Sequence, residues 1–171
     1  THKAYVNWFH AAHHLTKGVG FAGDHESIYG KIYNQSFEYL DQIVERVIGL
    51  TNNETYACPH NITLATLKIL QSYPSPANQP ALAIAAGALH LNKEYLKFLE
   101  ILVLNLKSQN NLSLGTEDFI AGLCNILEEY NYTVLVDMGE FDERGRTLIK
   151  LYRPISAGKS INELIMEQSK D

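Results

Sequence analysis

Apolar spacing constrains this chain more than any other feature. Between His25 and Leu50, Ile28, Ile32, Leu40, Ile43, Val44, Val47 and Ile48 recur mostly at steps of three and four residues. A strand would alternate every second residue, so this period predicts a long helix with one buried stripe. The same argument predicts a first helix over residues 3–16, with Lys17 and Gly18 as a basic last turn and a glycine stop. Between the two lies a glycine loop, Gly18 to Gly23, and Asp24 is the expected N-cap of the second helix. Gly49 and the polar run Thr51-Asn52-Asn53 are expected to end it.

Further along, a short helix is expected from Thr63 to about Ser72, followed by a break at Ser75–Pro80, where Pro76 and Pro80 follow closely on Pro74. The next helix, Pro80 to Lys107, carries Leu96, Phe98, Leu99, Ile101, Leu102, Val103 and Leu104. So dense an apolar body implies burial on several sides. Thr116 is the expected cap of a fourth long helix, with Glu117 and Asp118 in its first turn and an end near Met138-Gly139. Residues 140–171 suggest a short strand (Thr147 to Tyr152), a break at Pro154 and an amphipathic helix from Ser160. The expected fold class is therefore all-α: a ferritin-like four-helix bundle over residues 1–139, with a short helix in the long connection between the second and third bundle helices. Residues 140–171 would form a C-terminal extension that packs on the bundle or at subunit contacts.

Composition narrows the function. With 171 residues the chain is one domain of ordinary size, and 14 basic against 19 acidic residues give a net charge of −5. That balance argues against a generic phosphate-binding surface and is compatible with attracting cations. Cys58 and Cys124 have no partner motif, so reduced thiols and a cytoplasmic setting are expected. No apolar run is long enough for a signal peptide or a membrane span, which makes a soluble, unexported protein the expectation.

Metal-ligand side chains concentrate near the first two helices. His10, His13 and His14 share one helix; His25-Glu26 and Asp41-x-x-x-Glu45 follow. Residues four apart on a helix sit about 40° apart around its axis, so each group can face one ion, and imidazole with carboxylate suits iron or zinc. The bland readings are that His10 and one of His13 or His14 are bystanders, and that Asp41 and Glu45 form a solvated face. The apolar neighbours Ile43, Val44 and Val47 speak against full exposure of that face.

The run His13-His14-Leu15-Thr16-Lys17-Gly18-x-x-Phe21-x-x-x-His25-Glu26, then Tyr33, then Leu40-Asp41-x-x-x-Glu45-Arg46-x-x-Gly49, resembles the signature of the Dps mini-ferritins. The resemblance spans residues 13–49 at motif level. It implies a hollow homo-dodecamer in which Fe(II) is oxidised, with hydrogen peroxide as the expected oxidant, at sites shared between two subunits. Ferric mineral would be stored in the cavity, protecting against oxidative damage. Carried over by position, His13 and His25 of one subunit and Asp41 and Glu45 of its mate take the catalytic and metal-binding roles, with zinc as a substitute ion. Acidic residues near the start of the fourth helix would line entry pores, and Asp118 and Glu117 fall there; helix-dipole complementarity explains them equally well.

This chain departs from the family pattern in two ways. Sixteen residues separate His25 from Asp41 where the family has fifteen, which on an ideal helix turns a separation of about 60° into about 160°. A π-bulge in the second helix would absorb the extra residue. Alternatively the slack sits in the glycine loop, and His14, Glu26, Asp41 and Glu45 are the ligands. The first alignment keeps Gly18, Phe21 and His25-Glu26 in register and is preferred. The second departure is Tyr29, which stands where many members have another carboxylate.

DNA binding is not expected. Only Lys3 stands ahead of the first helix, and Arg144, Arg146, Lys150 and Arg153 sit beside Glu140, Asp142 and Glu143. Trp8 is read as a packing residue, and Tyr130 and Tyr132 as core or interface aromatics. His60 and His90 have no spaced partner. The competing reading is a ferritin-like shell or assembly protein whose ferroxidase site is degenerate or absent.

Overall fold

The structure, a computed structural model, describes residues 1–18 and 21–141. It is all-helical, with no strand among the described residues: α1 (His2–Leu15), a π-helical segment (Gly23–Gly30) running directly into α2 (Lys31–Thr51), a 3-10 turn (Glu54–Ala57), α3 (Pro59–Leu70), α4 (Ala81–Ser108) and α5 (Leu114–Phe141). The strand expected at Thr147–Tyr152, the helix from Ser160 and the basic residues from Arg144 to Arg153 lie outside the described residues.

Cross-contacts give the direction of each helix. His2 meets Ser36 while His13 meets His25, so α1 runs antiparallel to the continuous rod formed by the π segment and α2. Lys31 pairs with Glu129 and Arg46 with Gly115, which sets α2 antiparallel to α5. Asn92 bonds Leu127 and Lys107 pairs with Glu117, so α4 and α5 are antiparallel. His2 and Tyr5 meet Tyr95 and Asn92, so α1 and α4 are antiparallel too. The connection from α2 to α4 carries α3, which packs on α1.

The core between these helices is built by Tyr5, Phe9 and Ala12 of α1, Tyr29 and Ile32 of the π–α2 rod, Ile84, Leu89 and Leu99 of α4, and Leu123, Leu127 and Tyr130 of α5. Small residues open α4: Ala83, Ala85, Ala86, Gly87 and Ala88 are buried, and they let α4 approach its neighbours closely. Burying such apolar surface contributes roughly 25 cal/mol per Å², so this cluster dominates the stability of the fold. One polar residue bridges the layers. Asn92 accepts from the Tyr5 hydroxyl at 2.6 Å and donates to the Leu127 carbonyl at 2.6 Å, tying α1, α4 and α5 together.

Four local expectations need correction. Asp24 does not cap the second helix, because the helix begins at Phe21; Asp24 is buried and accepts from the Thr16 hydroxyl at 3.1 Å. The cap of α5 is Ser113 and not Thr116, since the Ser113 hydroxyl accepts from the Thr116 N–H in the N-cap to N3 pattern. The apolar body of α4 is not buried on several sides. Leu99 is buried, but Phe98, Ile101 and Leu104 are 42%, 47% and 65% exposed, since the α1 contacts of this helix fall at Asn92 and Tyr95, before that segment. At its other boundary α2 runs through Gly49 and stops where Asn52 turns left-handed, at φ 50°.

Candidate metal centre

The expected π-bulge has a counterpart between Gly23 and Gly30. From Gly23 to Gly30 the backbone is π-helical, and the Lys31 N–H reaches the Glu26 carbonyl five residues back. Each such bond spans one residue more than an α-helical one, so the segment takes up extra chain without breaking the rod. It also turns Ile28, Tyr29 and Gly30 inward, all buried. Tyr29 therefore packs in the core against Phe9.

The π segment sets His25 against the last turn of α1. The His13 and His25 rings stack with centroids 3.8 Å apart and planes inclined by 17°. His13 Nδ1 lies 2.6 Å from the His25 carbonyl, and His25 Nδ1 lies 2.6 Å from the His13 carbonyl. A carbonyl can only accept, so both Nδ1 atoms carry the proton and donate. In a neutral ring that leaves the lone pair on Nε2, which is how metal-ligating histidines are commonly oriented. Glu26 Oε1 stands 3.1 Å from His25 Nε2. Ligand atoms of His13, His25 and Glu26 all lie within 4.8 Å of one another.

The contact between Glu26 and His25 has its own chemical meaning. A carboxylate oxygen beside an imidazole lone pair is repulsive unless a proton or a metal ion sits with them. For bonds of about 2.1 Å, a nitrogen and an oxygen 3.1 Å apart subtend about 95° at an ion, a normal angle between adjacent ligands. Both histidines are half-buried, whereas Glu26 is exposed, so the far side of such an ion would face solvent and keep positions open.

Gly30 is the residue that sequence reading missed. A Cβ built on it would stand 2.7 Å from the His25 carbonyl oxygen and 3.1 Å from His13 Nδ1. Only glycine lets α1 come close enough for the paired hydrogen bonds. The signal was present as a glycine inside a helical pattern, five residues after a histidine, but nothing local says what approaches it. Aromatic rings flank the centre: Phe21 stacks on His25 at 4.8 Å, and Tyr33 lies beyond His13 at 6.4 Å.

The other expected site residues are elsewhere in the chain. His14 turns away toward His10. Asp41 and Glu45 are exposed on α2. At about 1.5 Å of rise per residue they lie some 20 Å or more from His25, so they cannot share an ion with it inside one chain. Arg46 of the same motif has a packing role: it donates to the Gly115 carbonyl at 3.3 Å, and its guanidinium lies 4.6 Å from the Phe119 ring centre. Glu117 pairs with Lys107, and Asp118 is exposed. Trp8 is buried and donates from its indole N–H to the Pro74 carbonyl; Tyr130 is buried and donates to Gln35. Both therefore pack as expected, whereas Tyr132 is exposed and does not join the core of this chain.

No helix among the described residues is long and apolar enough to cross a membrane. In comparisons with known proteins, no family model matches this chain, and no curated protein or solved structure matches it at a significant level.

Proposed function

We propose that His13, His25 and Glu26 form a transition-metal site, and that its function is oxidation of Fe(II) as substrate in a ferritin-like, Dps-type assembly of this chain. The observation that carries the metal reading is the paired Nδ1–H to carbonyl hydrogen bonding. It costs the fold a glycine and a π-helical segment, and it leaves the Nε2 atoms of two adjacent imidazoles unused by those bonds, with a carboxylate beside one of them. Two nitrogens and one oxygen with open positions suit Fe(II), with zinc as a competitor.

The ferroxidase step rests on a second copy. Asp41 and Glu45 are too remote to serve the histidines of their own chain, and they lie exposed, available to a neighbour's site. Leu15, Phe21 and Phe37 are exposed at 38%, 45% and 49%, which is apolar surface that a second chain would cover. The pairwise antiparallel helices with one long connection also suit the ferritin-like bundle. Two Fe(II) would each lose one electron to hydrogen peroxide, which with two protons leaves as two waters. Carboxylates stabilise the Fe(III) so formed, and mineral would collect in the hollow dodecamer.

The test is anaerobic loading with Fe(II) followed by peroxide, watched by ferric absorbance, with the mass of the assembly measured in solution. Turnover that is lost in His13→Ala, and lost again in Asp41→Ala plus Glu45→Ala, is the expected result. A wild-type protein that oxidises iron no faster than buffer, or that remains a monomer, defeats the ferroxidase reading and leaves the metal site to stand on zinc binding alone.

A further inference from the structure

We propose a second, independent metal site on the outer face of α1, formed by His10 and His14 and selective for nitrogen-seeking divalent ions, copper(II) foremost. It does not rest on the ferroxidase reading. The two residues are four apart on a helix, so they stand one above the other on the same face. Their Nε2 atoms lie 3.0 Å apart, and both rings are exposed. For metal–nitrogen bonds of about 2.1 Å, that separation corresponds to two ligands about 90° apart, the angle between neighbours in square-planar or octahedral coordination. Without an ion, one Nε2–H donates to the other Nε2 lone pair. A metal replaces that single proton and engages both nitrogens.

The pair is held in place before any ion arrives. Tyr33 lies parallel to the His10 ring at 4.2 Å with planes inclined by 13°, which restrains its rotation. Lys3, the nearby cation about two turns back on α1, directs its ammonium over the Phe37 ring at 5.4 Å. His14 stands edge-on to His13 at 4.9 Å, so the two sites are adjacent but share no ligand. Their chemistry differs: the inner centre includes a carboxylate, whereas the outer pair offers imidazole alone. Among first-row divalent ions imidazole pairs favour copper(II), then nickel(II).

The experiment uses the full chain with the inner centre disabled by His13→Ala and Glu26→Gln, titrated with copper(II) and followed by electron paramagnetic resonance. One copper(II) per chain with a two-nitrogen hyperfine pattern is expected. Adding either His10→Ala or His14→Ala should weaken that binding by more than about tenfold and remove the two-nitrogen pattern. Both residues are exposed, so the fold should survive, and circular dichroism confirms it in the same samples. If copper binding in the disabled background is absent, or is unchanged by both substitutions, the site does not exist. Loss of copper binding in a protein that never oxidises iron would still support it, which separates this inference from the ferroxidase reading.

Discussion

His13 and His25 each donate from Nδ1 to the other's backbone carbonyl, both at 2.6 Å, although they lie on different helical segments twelve residues apart. Each side chain thereby satisfies a carbonyl at the end or irregular part of a helix and fixes the other's ring. The result is a rigid pair of imidazoles whose second nitrogens are left for chemistry. Orientation of this kind is worth about 10–100-fold in metal affinity where it has been removed elsewhere.

Gly30→Ala should disrupt that pair directly. The new Cβ would meet the His25 carbonyl oxygen at 2.7 Å, and backbone cannot yield as a flexible side chain can. A loss of about 1–3 kcal/mol in stability is expected by chemical denaturation, as for other overpacked sites. Zinc affinity, measured by calorimetry, should fall as well. Unaltered stability and affinity would mean that the close approach at Gly30 is not required.

Glu26→Gln separates ligation from folding. The Glu26 side chain is 72% exposed, so stability should change by no more than about 0.5 kcal/mol. Metal affinity should fall by more than about tenfold, because a neutral amide is a far weaker ligand than a carboxylate. An affinity equal to wild type would remove Glu26 from the centre.

His2 makes stability depend on pH. It is buried, its Nε2–H donates to the Ser36 carbonyl at 2.6 Å, and its Nδ1 accepts from the Tyr95 hydroxyl at 2.7 Å. Burial lowers its pKa to about 4 from the ordinary 6.5, so the fold holds the neutral ring. Below pH 6.5 the unfolded chain takes up a proton that the folded chain refuses. The contribution is therefore fully present above pH 6.5 and is lost as pH falls toward 4, by on the order of 3 kcal/mol. Urea midpoints measured between pH 7 and 4 should show this slope, and His2→Ala should flatten it.

Asn92→Leu should cost about 2–4 kcal/mol although it adds apolar volume to the core. The substitution leaves the Tyr5 hydroxyl and the Leu127 carbonyl buried without their partner. Thermal unfolding monitored by circular dichroism measures the loss. A variant as stable as wild type would show that water or a rotated Tyr5 replaces both bonds.

Much of the helical layout was legible locally. Ile28 to Ile48 marked the second helix by spacing, the prolines from Pro74 to Pro80 marked the break before α4, and His13 and His25 stood out by residue type, whereas Glu26 was a ligand only in the alternative set with His14. Capping was less legible. Ser113 and Thr116 are equally good caps by composition, and only the backbone path decides between them. Asp24 misled because a carboxylate ahead of an apolar run resembles a cap whether it faces solvent or is buried. The exposed Phe98, Ile101 and Leu104 misled because spacing reports that a face is apolar, not whether a neighbour reaches it.

By itself the sequence determined which segments are helices and which few residues carry ligand chemistry, because helix period, breakers and side-chain type are properties of neighbouring residues. Tertiary structure decided the rest. It opened the second helix with a π segment, joined His13 with His25 and Glu26, and sent His14 to His10. Those pairings depend on how α1 rotates and how closely it approaches the π–α2 rod, and that approach is set by a missing Cβ at Gly30 and by core packing that no local pattern encodes.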